Sequence, residues 1–239
     1  MTKNISVIGR GRLGSAMAAA LHTGEPLGRG SDGAGADVVL LCVPDGEIAA
    51  AAALVAPGRL VGHCSGATTL EPLAPHEAFS LHPLMTVPEG DMQERETSLF
   101  LQASCAVAGS TPRALAVAHE LADRLGMRAF EIDDEDRAAY HAAASMASNF
   151  LVTLEAAAER VMASAGADRE ILVPLVRAAV ENWAELGPER ALTGPIARGD
   201  EATVARQREA VLERTPELAP LFDALVEATR ALARARTAA

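Results

Sequence analysis

The sequence predicts a doubly wound, mostly parallel α/β sheet domain followed by an all-helical domain. Three observations carry this expectation. A short apolar strand runs directly into Gly9-Arg10-Gly11-Arg12-Leu13-Gly14 and then into an alanine-rich helix. Short apolar runs then alternate with helical patterns up to about Ile132, as a parallel sheet with crossover helices requires. From Asp133 onward glycine and β-branched runs thin out and long amphipathic patterns take over. The expected division is therefore 1–133 and 134–239, and 239 residues at roughly 150 per domain suit a medium domain with a smaller partner.

The elements follow in order. Asn4 to Ile8 reads as a buried strand, and the helix after the glycine turn extends to about His22. Asp37 to Val43 is a continuous apolar run, the signature of a strand covered by helices on both faces, and Pro44 ends it. A helix near Glu47 to Val55 precedes strands at Leu60 to Cys64 and Ala78 to His82, with further strand expected in Phe100 to Val107. In the second half one long helix is expected from Asp134 to about Ser164. Another should run from Asp168, a suitable N-cap, to Leu186, stopped by Gly187-Pro188. Two more are expected near Glu201 to Arg214 and Pro216 to Arg236.

Composition removes several chemistries. With 21 basic and 32 acidic residues the net charge is −11, so no long-range field draws the protein to nucleic acid or an anionic membrane. Lys3 is the only lysine. A Walker phosphate loop and a buried Schiff-base lysine are thereby excluded. The three cysteines, Cys42, Cys64 and Cys105, form no CxxC pair and no metal-ligand spacing with the six histidines. The expectations are a reducing cytoplasm, no metal, and Cys42 and Cys64 as packing residues. No leader pattern and no uncharged apolar stretch of about 18 residues is present, so export and membrane insertion are not expected.

A strand–glycine turn–helix unit is the context in which a GxGxxG motif binds a dinucleotide. The first glycine permits the turn, the second lets the backbone approach a pyrophosphate, and the third lets helix pack on strand. The helix N-terminus adds free N–H groups and a positive dipole end. Gly9, Gly11, Arg12, Leu13 and Gly14 are the expected pyrophosphate contacts. Arg29 and Ser31, at the end of the expected second strand and in a segment so short that the usual second crossover helix is nearly deleted, favour NADP, while Asp32 would favour NAD; a solvated loop is the competing reading. Val43 and Pro44 close the list of expected nucleotide contacts.

Ligands of such sheets lie beyond the carboxyl ends of the strands. Polar clusters stand there at Cys42-Val43-Pro44-Asp45, His63-Cys64-Ser65-Gly66-Ala67 and Ser80-Leu81-His82-Pro83-Leu84. His82 suits proton exchange near neutral pH, and Ser65 suits substrate anchoring. A strand-end histidine bonded only to backbone is the competing reading. On the next helix His141, Ser145, Ser148 and Asn149 recur at spacings of three and four and share a face, as a site, a solvated face or an interhelical polar network. In Leu192-Thr193-Gly194-Pro195-Ile196-Ala197-Arg198-Gly199-Asp200, Arg198 could hold a substrate carboxylate or pair with Asp200.

Taken together, GRGRLG, CVPD, HCSGA, SLHPL, YHAAASMASN and LTGPIARGD resemble the Rossmann-like proteins that carry a DUF2520 C-terminal domain. These are relatives of pyrroline-5-carboxylate reductase, ketopantoate reductase and the 6-phosphogluconate dehydrogenase group. The resemblance spans nearly the whole chain and implies a Rossmann-type NAD(P)-binding domain and a helical domain that dimerises, with substrate held between them. Hydroxyacid dehydrogenases of the wider group carry a lysine four residues before the asparagine that corresponds to Asn149, and this chain has Ser145 there. SLHPL is also similar to the His-Pro segment of prephenate dehydrogenases. The resulting expectation is an NADP-dependent oxidoreductase acting on a small carboxylate-bearing carbonyl, imine or hydroxy acid, and forming homodimers through its C-terminal helices. Ser65, His82, His141 and Asn149 would be its catalytic set, and Ser145, Thr193 and Arg198 its substrate contacts. A nucleotide sensor without chemistry, and a flavin or deazaflavin in the same cleft, are the readings that compete with it.

Overall fold

The computed structural model describes residues 4–87 and 99–238. Lys3, the lone lysine, lies outside the described residues. The chain divides into two compact units, Met1–Ser148 and Asn149–Ala239. This division falls some fifteen residues beyond the change in sequence character at Asp133.

The first unit is built on a six-stranded sheet in the order β1 (Ile5–Ile8), β2 (Val38–Leu41), β3 (Leu60–His63), β4 (Glu77–Leu84), β5 (Ser104–Gly109) and β6 (Arg128–Glu131). β1 to β4 are parallel, with Ile5 opposite Val38, Val38 opposite Leu60 and Leu60 opposite Glu77. β5 runs antiparallel to β4, and β6 follows β5 in parallel. β5 begins four residues later than the apolar run suggests. Gln102 sits in the left-handed region at φ 67° and Ala103 N–H closes a turn on Phe100, which uses up Phe100 to Ala103 before pairing starts.

Side chains alternate across the sheet with period two and feed two cores. Val38, Leu40, Leu60, Phe79 and Leu81 pack with Met17 and Leu21 of the α1 region (α1, Arg12–Ala20) and with Val117 and Leu121 of α3 (Pro112–Arg124). Val39, Leu41 and Val61 pack on the other face with Ile48 and Ala52 of α2 (Ile48–Leu54). Both faces are covered, which explains the unbroken hydrophobic strands.

The usual second strand survives as one residue. Leu27 bridges Ile8 in parallel, its N–H donating to Val7 O at 2.8 Å while its carbonyl accepts from Gly9 N–H at 2.9 Å. Residues 28–36 form turns, and the chain then crosses to the other side of β1 to make β2. β1 is therefore the point at which the chain reverses its direction of travel across the sheet, the place where open α/β sheets form a crevice.

The helix expected from 134 to 164 is divided. A 3-10 turn (Asp134–Asp136) leads into α4 (Arg137–Ser145), a π-helical turn follows at Met146–Phe150, and α5 occupies Leu151–Ser164. Ser148 Oγ donates to Ala144 O at 2.8 Å within that stretch, a side-chain-to-backbone bond of the kind that bends helices. α4 belongs to the first unit because Arg137 is buried against β4.

In the second unit α5 is followed by α6 (Leu172–Leu186), the short α7 (Pro188–Ala191), α8 (Glu201–Arg214) and α9 (Ala219–Ala238). Gly187, at φ 75°, ends α6 as expected. Asp168 does not cap α6: it precedes a 3-10 turn, Arg169–Ile171, and makes no side-chain capping bond. Asp200 does cap α8, accepting from Thr203 N–H at 3.1 Å. Few side chains of this unit are fully buried, Val204, Val211 and Val226 among them, while Phe150, Val152, Leu175 and Trp183 are each more than half exposed. Among the described residues no helix is long and apolar enough to cross a membrane.

Candidate active site

The crevice beside β1 is a cavity of about 510 Å³ lined by Gly9 to Leu13, Arg29, Cys42 to Asp45, Cys64, Ser65 and Val87. Its glycines divide into two kinds. A Cβ on Gly9 would lie 2.2 Å from Cys42 O, and one on Gly14 would lie 1.9 Å from Gly9 O. Both are fixed by the protein's own packing. A Cβ on Gly11 would meet nothing within 4 Å, so the bare backbone there faces open cavity. α1 begins without a side-chain cap and with no acidic residue in its first turn, so the positive end of its dipole suits an anion. The residues present therefore fit a dinucleotide pyrophosphate held by backbone at Gly11, Arg12 and Leu13.

Arg29, Val43 and Pro44 line this cavity, as expected. Arg29 is engaged with Glu47 at 2.6 Å. Ser31 and Asp32 are not among the lining residues. The Ser31 hydroxyl accepts from Gly33 N–H at 3.3 Å, and Asp32 Oδ1 accepts from Ala34 N–H at 2.9 Å. Both side chains are spent on their own turn.

The loop after β3 is fastened by two buried side chains. His63 is fully buried, its Nδ1 accepting from Ser65 N–H at 3.2 Å and its Nε2 donating to Thr69 O at 3.0 Å. That pattern needs a neutral ring, and burial lowers its pKa accordingly. The Ser65 hydroxyl donates to Asp45 Oδ2 at 2.8 Å and accepts from Thr68 N–H at 2.9 Å. Ser65 thus lies at the cavity wall with its hydroxyl tied to Asp45, a turn carboxylate that residue type alone does not mark. Cys42 and Cys64 face each other with sulfurs 3.6 Å apart. The bond to Cys42, then burial, holds the Cys64 thiol well above its usual range, as suits a packing residue.

Behind this loop three rings meet. His82 Nδ1 lies 2.6 Å from the Tyr140 hydroxyl, with ring centroids 5.5 Å apart and planes at 89°. His141 stands edge-on to His82 at 6.1 Å. Gly66 separates them from the loop: a Cβ there would fall 2.7 Å from His82 Cε1 and 3.0 Å from His141 Cδ2. Burial first, and the neighbouring His141 second, push the His82 pKa down to about 4. Burial pushes Tyr140 up to about 12, so both are uncharged at neutral pH. Underneath, the buried Arg137 guanidinium donates to Ser80 Oγ at 2.7 Å and to Asp134 Oδ1 at 2.6 Å, fixing the start of α4 to β4.

The structure therefore brings Ser65, His82 and His141 together and adds Asp45, Gly66, Tyr140 and Arg137. Ser145 ends α4, and Asn149 lies in the π-helical turn at the start of the second unit. Thr193 and Arg198 belong to the second unit, Arg198 in a 3-10 turn whose backbone N–H donates to Pro195 O. Among the described residues no group of three or more potential ligands could hold a metal ion.

The sheet order, the reversal at β1 and the glycine turn define a Rossmann-like α/β protein. More narrowly, the chain belongs to the family described as Domain of unknown function (DUF2520), whose model matches residues 103–229. Similar solved structures include protein TM1727 from Thermotoga maritima, with 25% identity and TM-score 0.80 over 98% of this chain and 99% of that one. A Bacteroides fragilis protein named as a candidate NADP oxidoreductase has 20% identity and TM-score 0.77 over 95% and 97%. A reductive aminase from Aspergillus terreus, in complex with NADPH and ethyl levulinate, has 16% identity and TM-score 0.68 over 95% and 93%. No curated protein matches the sequence significantly.

Proposed function

We propose that the protein is an NADP-dependent oxidoreductase acting on a small carbonyl or imine compound, with carboxylate-bearing members the first to test. The observation that carries this reading is the open backbone at Gly11, in a cavity that shares the Ser65–Gly66 loop with the His82–Tyr140–His141 cluster. A nicotinamide held there would exchange hydride with the substrate. The amides of α1 bind the diphosphate. Arg10, Arg12 and Arg29 line the cavity while the Asp32 carboxylate is turned onto Ala34, a balance that favours a 2′-phosphate over a bare ribose. The loop bonds of His63 and Ser65 keep the wall rigid, and His82 with its two aromatic neighbours is the local source of hydrogen-bonded protons. The bound NADPH of the reductive aminase supports the same choice of cofactor.

We also propose that two copies associate through the second unit. Ile171, Leu175, Trp183 and Leu186 are exposed along α6 and the turn before it, an apolar face of a kind monomers rarely leave uncovered.

Nicotinamide fluorescence tests the main reading. NADPH should bind more tightly than NADH, the preference should fall in Arg29→Ala, and a panel of keto and imino acids should oxidise the bound cofactor. Tight binding with no turnover on any member would point instead to a sensor, a reading to which Ser145, in place of the wider group's lysine, lends support. No binding of either nucleotide would overturn both.

A further inference from the structure

We infer that Tyr140 is a positioning residue that fixes His82 in one tautomer, with its proton on Nε2, so that the ring presents a hydrogen-bond donor to the C=O or C=N group of a substrate. The inference rests on the oxidoreductase reading for its functional half and on geometry alone for its structural half.

The geometry begins with the 2.6 Å separation between the Tyr140 hydroxyl and His82 Nδ1. Hydroxyl donors reach such distances routinely, whereas N–H donors to oxygen fall between about 2.7 and 3.2 Å. The hydroxyl proton also has no other recorded acceptor among the described residues. If His82 donated through Nδ1 instead, the phenol of a half-buried tyrosine would lose its acceptor. The two rings meet edge to face at 89°, and Gly66 lies against Nδ1 and Cε1 at distances a Cβ could not occupy. The imidazole is thus clamped on the side that receives the tyrosine.

A neutral imidazole has one donor and one acceptor nitrogen. With Nδ1 accepting from Tyr140, Nε2 carries the hydrogen and can only donate. The groups acting on the ring are His141, Asp45, Arg137 and His63. Burial first, and then three of these four groups, oppose a second proton, so the ring stays neutral. A carbonyl oxygen or an imine nitrogen offers the lone pair that such a donor needs. As a hydrogen-bond donor the ring polarises that group for hydride, and the proton that completes the reduction comes from solvent, so His82 ends the step as the same neutral tautomer.

Long-range proton–nitrogen NMR of the full-length chain labelled at histidine nitrogen decides the matter, with the His82→Asn variant identifying the His82 signals among six histidines. At pH 7, without nucleotide, His82 should show a protonated Nε2 and an unprotonated, hydrogen-bonded Nδ1. In Tyr140→Phe the Nδ1 signal should lose its hydrogen-bond shift and the two tautomers should mix. A protonated Nδ1 in the wild type, or an unchanged tautomer in Tyr140→Phe, overturns the inference. Because these spectra need neither cofactor nor substrate, failure to bind NADPH would sink the oxidoreductase reading while leaving the tautomer assignment standing. With an active substrate in hand, Tyr140→Phe should lower kcat for reduction at least tenfold with NADPH affinity unchanged. An unchanged kcat in Tyr140→Phe would overturn the functional half.

Discussion

Gly11 and Gly14 are three residues apart and answer to different constraints, so their alanine variants should separate ligand binding from folding. Gly14→Ala forces a methyl to 1.9 Å from Gly9 O, and the turn must shift. Thermal unfolding should register a loss of about 1–3 kcal/mol, the usual cost of overpacking. Gly11→Ala meets no protein atom within 4 Å, so its melting temperature should stay within a degree or two while nucleotide titration shows at least a tenfold loss. His82 makes a second residue-level prediction. Its pKa of about 4 in the fold lies below the ordinary 6.5, so between these values the unfolded chain binds the proton first and stability falls as pH falls. The full stability holds above about pH 6.5, and at about 1.4 kcal/mol per unit the loss approaches 3 kcal/mol near pH 4. Urea midpoints measured from pH 7 to 4 should show a shallower slope in His82→Asn than in the wild type. Part of this scale was legible: the close packing at Gly9 and Gly14 follows from the motif, the place of His82 from its position beyond a strand, and that of His141 from its spacing on the next helix. Tyr140 was not, because a lone aromatic in an alanine-rich helix reads as packing until its hydroxyl is seen against another ring. Asp45 and Arg137 stayed hidden for the same reason, since a turn carboxylate and a helix-start arginine are ordinary surface residues in sequence.

Elements follow sequence where periodicity is strong and diverge where hydrogen bonds compete. The parallel strands and α8 stand where the apolar pattern and the turn residues put them. The π-helical turn at Met146–Phe150 leaves no mark in a run of alanine, serine and methionine, all compatible with an unbroken helix. β6 (Arg128–Glu131) was equally quiet, being an edge strand with exposed side chains. Two ties join the sheet to α4, the His82–Tyr140 bond and Arg137, which is 1% exposed and whose partners are Ser80 and Asp134. Asp134→Ala removes the only carboxylate paired with that guanidinium among the described residues. Leaving a buried charge uncompensated costs about 3–5 kcal/mol, and the half-exposed position of Asp134 puts this case at the lower end. Chemical denaturation should show that loss, and Asp134→Asn, which keeps an acceptor oxygen, should recover part of it.

At the scale of the molecule, the sheet unit completes two cores of its own, whereas the helical unit leaves large side chains uncovered. Trp183, the only tryptophan, is 58% exposed in the single chain, so its emission reports directly on association. Dilution from micromolar to nanomolar should shift that emission to the red as copies separate, and Trp183→Glu should sediment as a monomer. A wild type that sediments as a monomer at micromolar concentration would remove the dimer from the proposal. The sheet has a practical side as well. β5 and β6 run against the first four strands, so the start of β4 and the end of β5 share one rim, with Phe79 opposite Gly109, while Gly9, Cys42 and Ser65 crowd the other. The exposed Pro57-Gly58 turn, just ahead of β3, sits on the first of these rims, with β3, roughly 13 Å long, between it and the loop that carries Ser65. A dye or solid support attached there would hold the sheet unit by the rim opposite Gly9, Cys42 and Ser65.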